Sequence, residues 1–201
     1  MTTTLAQPGE YRETIKKSVF LALAAPVSDA QAAMVFIAAN SDADATHNCW
    51  AYRVGDQYRF SDDGEPGGSA GRPILQAIDG QQCDRVAVLV IRWYGGIKLG
   101  TGGLVRAYGG CAANCLRLAP RVEIIEMARA TCHCAYSELQ WLHARVATAG
   151  AAIVAEDFDG EGATLTLDIP RAAVTELAQT ITDGTRGRST LLLQKSEPHQ
   201  G

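Results

Sequence analysis

Two glycine-rich loops hold most of the side chains in this chain that could do chemistry. The first, Ser61-Asp62-Asp63-Gly64-Glu65-Pro66-Gly67-Gly68-Ser69-Ala70-Gly71, sets three carboxylates before a G-x-S-x-G run at Gly67, Ser69 and Gly71. That run is the pattern of a hydrolase nucleophile elbow, which needs a strand directly before the serine and a helix directly after it. Here Pro66-Gly67 separates Ser69 from the nearest strand, and His47 is the only histidine of the first half available as its base. Asp62, Asp63 and Glu65 are oxygen donors of the kind that hold a hard cation, but their spacing fits no calcium loop. The reading that remains is a turn whose carboxylates cap backbone N–H groups and pair with nearby arginines.

The second loop, Tyr94 to Gly103, lies between a strand and a helix start, where glycine backbone can approach and donate to an anion. It fits neither nucleotide fingerprint. Lys98 precedes Gly100 where a P-loop places its lysine after the last glycine, and Val105 stands at the third glycine position of the dinucleotide motif. Two readings stand side by side. Either the glycines serve a sharp turn and close helix-to-sheet packing, or Arg92, Gly95, Gly96, Lys98, Gly100, Thr101, Gly102, Gly103 and Arg106 contact a phosphate-type group or a nucleic-acid backbone. Residues 85 to 122 carry six basic residues and no acidic one, so a basic stripe is available to the second reading.

The remaining reactive side chains read as structure. The six cysteines form no C-x-x-C pair, which points to reduced thiols in the cytoplasm. Cys111 and Cys115 share the apolar face of a helix, and a strand through Cys132-His133-Cys134 sends both sulfurs one way and the imidazole the other. Neither a metal nor a cofactor is expected. Lys16 and Lys17 ahead of an apolar run imitate a secretion signal. The run lies too far from Met1 and is short enough to be a buried strand, and no stretch approaches the ~20 apolar residues a membrane helix needs.

The elements that must position these loops fall into two sets. Residues 1–125 carry an early strand near 18–25, a helix near 29–40, strands near 48–54 and 57–61, and a short helix from Pro73. A near-continuous apolar strand over 85–92 and a long helix after Gly103 complete the set, with 121–127 as strand and linker. Charge is balanced there, with twelve Lys/Arg against twelve Asp/Glu, while residues 126–201 carry six against ten. The second set reads strand, helix, strand, strand, helix, strand, the order of a ferredoxin-like domain. Its first helix is assigned a Ser137/Gln140 capping box, and its last strand is placed at 189–195.

Three stretches, His47-Asn48-Cys49-Trp50-Ala51-Tyr52-Arg53, SDDGEPGGSAGRPIL over 61–75 and RWYGGIKLGTGGLVRAYG over 92–109, closely resemble the signature of the YigZ/IMPACT amino-terminal domain. The resemblance covers about residues 15–120, and the remainder is similar to the ferredoxin-like domain of bacterial members. It implies an α+β protein. The first domain would be a two-layer α/β fold with a left-handed crossover, as in a ribosomal protein and in domain IV of elongation factor G. Eukaryotic relatives regulate the amino-acid-starvation kinase by competing for its activator, through a further N-terminal domain that is not expected in this protein. The expectation is a non-catalytic, translation-associated regulator that binds the ribosome, RNA or a protein partner and no membrane. The alternative is a hydrolase or transferase acting on a phosphorylated or small acidic substrate.

Overall fold

The structure is a computed structural model and describes residues 2–194. The chain divides into two compact units, with the boundary between Ile124 and Ile125.

The first unit is built on a five-stranded antiparallel sheet. Its strands are β2 (Gly9–Ile15), β3 (Ser18–Pro26), β4 (His47–Val54), β5 (Gln57–Ser61) and β6 (Val86–Trp93), in the order β2-β3-β6-β4-β5. A short ribbon pairs β1 (Thr3–Leu5) with β7 (Arg121–Glu123). The near-continuous apolar run of β6 is explained by cover on both faces. Val86, Val88 and Val90 pack against Ile74 and Ile78 of α2 (Gly71–Gly80) and Leu104, Tyr108, Cys111 and Cys115 of α3 (Thr101–Leu118). Ala87, Leu89 and Ile91 face the other way, toward Ala33 and Ile37 of α1 (Ala30–Asn40). The sheet and the α2/α3 layer make the two layers expected, and α1 adds cover on the opposite face.

This arrangement fixes one left-handed connection. The connection β3–α1–β4 and the connection β5–α2–β6 each join parallel strands across one intervening strand. They run in opposite directions along the sheet, with strand directions also opposed, and their helices lie on opposite faces. Two such crossovers have opposite hands, so one departs from the right-handed rule.

Strand β2 has no counterpart in the sequence reading. It alternates exposed Glu10, Arg12 and Thr14 with half-buried Tyr11, Glu13 and Ile15. It joins β3 through Lys16-Lys17, both at positive φ (45° and 67°). A two-residue hairpin of this hand favours Asn-Gly, so two lysines give no turn signal.

The second unit has β8 (Met127–Ala135), α4 (Tyr136–Thr148), β9 (Ala152–Phe158), β10 (Gly162–Pro170), a 3-10 turn at Arg171–Ala173, α5 (Val174–Gly184) and β11 (Leu192–Leu193). The sheet order β11-β8-β10-β9, antiparallel throughout, is the ferredoxin-like order. Cys132, Cys134, Leu165 and Leu167 meet Leu142, Val146, Leu177 and Ile181 in its core, while His133 is exposed on the other face. The capping box is corrected. Helix α4 starts after Ala135 with no side-chain cap, and Glu138 of its first turn pairs with Arg188 instead. The last strand is shorter than expected, and Lys195 lies outside the described residues.

Candidate functional site

The loop between β5 and α2 is organised by its acids. Asp62 accepts hydrogen bonds from the backbone N–H groups of Gly68 (2.8 Å), Ala70 (3.0 Å) and Gly71 (2.8 Å). It thereby caps α2 from eight residues away, and the residue at the helix boundary, Ala70, supplies no cap of its own. Burial pushes the Asp62 carboxyl upward, but the three N–H donors outweigh it and hold it below the usual carboxylate range. Asp63, at φ 42°, accepts from the Asn48 N–H at 2.5 Å, and its carbonyl accepts from Nδ1 of His47 at 2.7 Å. Ser69 is fully buried and donates its hydroxyl to the Pro66 carbonyl, so the serine of the G-x-S-x-G run is part of the turn. Cys49 donates to the Asp62 carbonyl at 3.0 Å, and burial pushes its thiol up to about 12.

Glu65 alone of the three acids turns inward, and it is only 8% exposed. Its Oε1 accepts from Arg92 Nη1 at 2.5 Å and from the Tyr108 hydroxyl at 2.7 Å. His47 Nε2 lies 3.8 Å from the same oxygen. Arg92, 5% exposed, has its second terminal nitrogen 3.4 Å from Ser18 Oγ, and its guanidinium lies between the rings of Phe20 (5.6 Å) and Tyr94 (5.4 Å). Ser18 Oγ also receives the Gly95 N–H at 3.2 Å. Within this network Arg92 Nε is shielded from solvent and has no hydrogen-bond partner.

The two glycine loops converge on this network. Glu65 and Pro66 from the first, and Tyr94 and Lys98 to Thr101 from the second, line one cavity of about 450 Å³ with His47 and Arg92. The N-terminus of α3 opens at its rim, with Gly100 at the boundary (φ 74°), no side-chain cap and no acidic residue in the first turn. Gly95 is required by packing, since a Cβ there would stand 2.0 Å from the backbone of Lys17, whereas Gly96 (φ 85°) has open space. Arg106 does not reach the cavity. It lines a second hollow of about 330 Å³ with Lys16 and Glu13, sharing only Leu99 with the first. Of the basic stripe, Arg92 is neutralised by Glu65, and Arg121 bonds Leu116 and Gln81. Sequence reasoning missed Tyr108, Ser18, Lys16 and Lys17. The lysines were legible as charges, but the packing of their turn on Gly95 follows from the fold.

Comparison with known proteins places this geometry. The Impact N-terminal domain matches residues 16–116, and a domain of unknown function, DUF1949, matches residues 132–188. The IMPACT family member YigZ of Escherichia coli is 35% identical over 194 residues, covering 93% of this chain and 95% of that protein. This chain belongs to the IMPACT family. A member of the family from Thermus thermophilus, encoded in the pol 5′ region, is 50% identical over 129 residues, 64% of this chain and 72% of that one. Human Protein IMPACT matches at 40% over 78 residues, so the chain spans about a quarter of that longer relative, 24% of its length. The crystal structure of a hypothetical protein, 34% identical, aligns over 98% of both chains with a TM-score of 0.68. Both glycine loops lie inside the Impact N-terminal match, and the ferredoxin-like unit contains the DUF1949 match. No helix among the described residues is long and apolar enough to cross a membrane.

Proposed function

We propose that this IMPACT-family protein is a translation-associated regulator that works by occupancy, its first unit gripping the phosphate backbone of RNA, that of the ribosome included. One observation carries the reading. Lys16, Lys17, Lys98 and Arg106 gather around the loop at the N-terminus of α3, and none of the four is ion-paired among the described residues. Lys16 and Lys17 hold left-handed backbone that non-glycine residues seldom adopt, and the backbone of Lys17 packs on Gly95. An acidic chain of net charge −4 binds nucleic acid through such a local patch and not through its overall charge.

The alternative, a hydrolase or transferase on a phosphorylated or small acidic substrate, has one observation in its favour. His47 gives Nδ1–H to a carbonyl and so turns Nε2 toward the cavity, the posture of a general base. Neither Ser69 nor Cys49 serves it as a nucleophile, because Ser69 is buried in its turn and the Cys49 thiol is held protonated by burial.

Cosedimentation with ribosomal particles across a salt series tests the proposal. Lys98→Ala and Arg106→Ala should each weaken association at low salt and reduce the log–log salt slope by about 0.7–0.9 for each phosphate no longer neutralised, with melting temperature unchanged. Binding unaffected in both variants refutes it.

A further inference from the structure

We infer that the cavity lined by His47 and Glu65 binds the ribose of a ribonucleoside whose 2′- and 3′-hydroxyls are both free. The two hydroxyls would donate to His47 Nε2 and Glu65 Oε2, and the base would lie on Tyr94. This goes beyond the surface reading above and does not rest on it, because a free ribonucleoside would use the cavity whether or not RNA uses the patch.

Two acceptors in the cavity wall carry the inference. The His47 ring is oriented by the Asp63 carbonyl, 2.7 Å from Nδ1. A carbonyl can only accept, so Nδ1 holds the proton and the neutral ring presents Nε2 as a lone pair. Glu65, its side chain 4% exposed, commits Oε1 to Arg92 and Tyr108, while Oε2 has no hydrogen-bond partner among the described residues. Unlike Arg92 Nε, Oε2 is not sealed from solvent, and both Glu65 and His47 line the cavity. A carboxylate oxygen on so buried a side chain is costly unless a donor from a ligand or water completes it. His47 Nε2 lies 3.8 Å from the same carboxylate, so the two acceptors are neighbours. A cis-diol supplies two donors from adjacent carbons and matches that pairing.

Charge separates a diol from an amine, which two adjacent acceptors would also suit. The Glu65 carboxylate is opposed by Arg92 at 2.5 Å, so the full charge left over among the lining residues is the Lys98 ammonium. It repels a second cation at close range and leaves a neutral diol unaffected. The rest of the lining indicates what carries the diol. Pro66, Leu99 and Leu104 are apolar, and the Tyr94 ring, 44% exposed and backed by the Arg92 guanidinium at 5.4 Å, offers a flat surface for a base. A sugar without a base would leave that surface uncovered. The volume of about 450 Å³ lies within the range of small-molecule sites.

The diol can belong to a free ribonucleoside or to the 3′ end of an RNA strand, and the test separates them. Calorimetric titrations of the full chain would use adenosine, 2′,3′-dideoxyadenosine, and a hexaribonucleotide ending either in a free 3′-terminal diol or in a 3′-phosphate. The same ligands would be titrated into His47→Asn, whose side-chain amide can still donate to the Asp63 carbonyl while the Nε2 acceptor is gone. The expected result in the parent is adenosine at least about tenfold tighter than the dideoxy analogue, which leaves the acceptors unpaired. In His47→Asn that ratio should fall at least about threefold, with the melting temperature within about 5 °C of the parent. A strand-end ligand shows as about tenfold preference for the oligonucleotide with the free diol, and a free ligand as adenosine discrimination without that preference. Equal binding of adenosine and its dideoxy analogue, or an unchanged ratio in folded His47→Asn, overturns the inference. Should His47→Asn fail to fold, the ligand pairs on the parent decide it. Oligonucleotide binding blind to its 3′ end, with adenosine silent, also overturns it and upholds the surface reading alone, whereas adenosine discrimination without oligonucleotide binding removes that reading and keeps this one.

Discussion

Removing the Glu65 carboxylate is the perturbation to which the first unit should be most sensitive. In Glu65→Ala, Arg92 stays in place between Phe20 and Tyr94 at 5% exposure, with Nη1 losing its partner and Nε already without one. The Tyr108 hydroxyl, on a fully buried side chain, loses its acceptor as well. Breaking one side of a buried ion pair costs about 3–5 kcal/mol, most of it the penalty for the stranded charge. For a unit of this size that corresponds to a fall in melting temperature of roughly 10–20 °C. The informative experiment is a cycle. Glu65→Leu and Arg92→Met should each be strongly destabilising, while the double variant, which leaves no buried charge, should be more stable than either single one. Thermal melts and urea titrations on the four proteins measure this. Single variants within about 1 kcal/mol of the parent, and additive in the double, would show a pair that behaves like a solvated surface ion pair and would refute the reasoning.

Two further outcomes follow from the loops. Asp62→Ala should cost about 2 kcal/mol, at the upper end for a lost cap, because three N–H groups lose their acceptor together. Since the folded state holds the Asp62 carboxyl below its ordinary value of about 3.9, its contribution is full above that pH and fades as pH falls through the lower folded value. The difference in melting temperature between parent and variant should therefore shrink between neutral pH and about pH 3, and a constant difference would contradict the assignment. Gly95→Ala should destabilise by about 3 kcal/mol or more through collision with the Lys17 backbone, whereas Gly96→Ala should cost only about 1–2 kcal/mol of left-handed backbone strain. Equal melting temperatures for the two would mean that the loop is not held against the β2–β3 turn.

Periodicity made the long elements legible. The one-sided run of Leu104, Ala107, Tyr108, Cys111 and Cys115 marks α3, the Val/Ile/Leu density of 86–91 marks the central strand, and the alternation of Leu165, Leu167 and Ile169 marks β10. Strand β2 escaped because its turn is Lys16-Lys17, residues that carry no φ preference for the conformation they adopt. The capping box failed for a related reason. Ser137 and Gln140 have the right spacing, but α4 is already under way at Tyr136. The acidic loop was readable as N–H caps plus an arginine partner, yet which acid does which job was not. Asp62 and Asp63 sit at the loop's outer turn, whereas Glu65 meets Arg92, 27 residues on, and Tyr108, 43 residues on. Arg106 was placed with Lys98 by sequence proximity, and the direction of α3 puts it in the neighbouring hollow instead.

The ribbon of β1 and β7 has a mechanical meaning. Thr3 lies opposite Glu123 and Leu5 opposite Arg121, so the strand entering the first unit and the strand leaving it run side by side, with their outer ends together. Tension applied between residue 2 and the second unit would reach the Thr3–Glu123 pair first, but Thr3 is tied on its other side as well, donating its N–H to the Gln82 carbonyl and accepting from the Asp84 N–H just ahead of β6. The ribbon is therefore a clamp on the root of the central strand. A pull that opens it also draws on the segment leading into β6, the strand that carries Arg92 to the cleft.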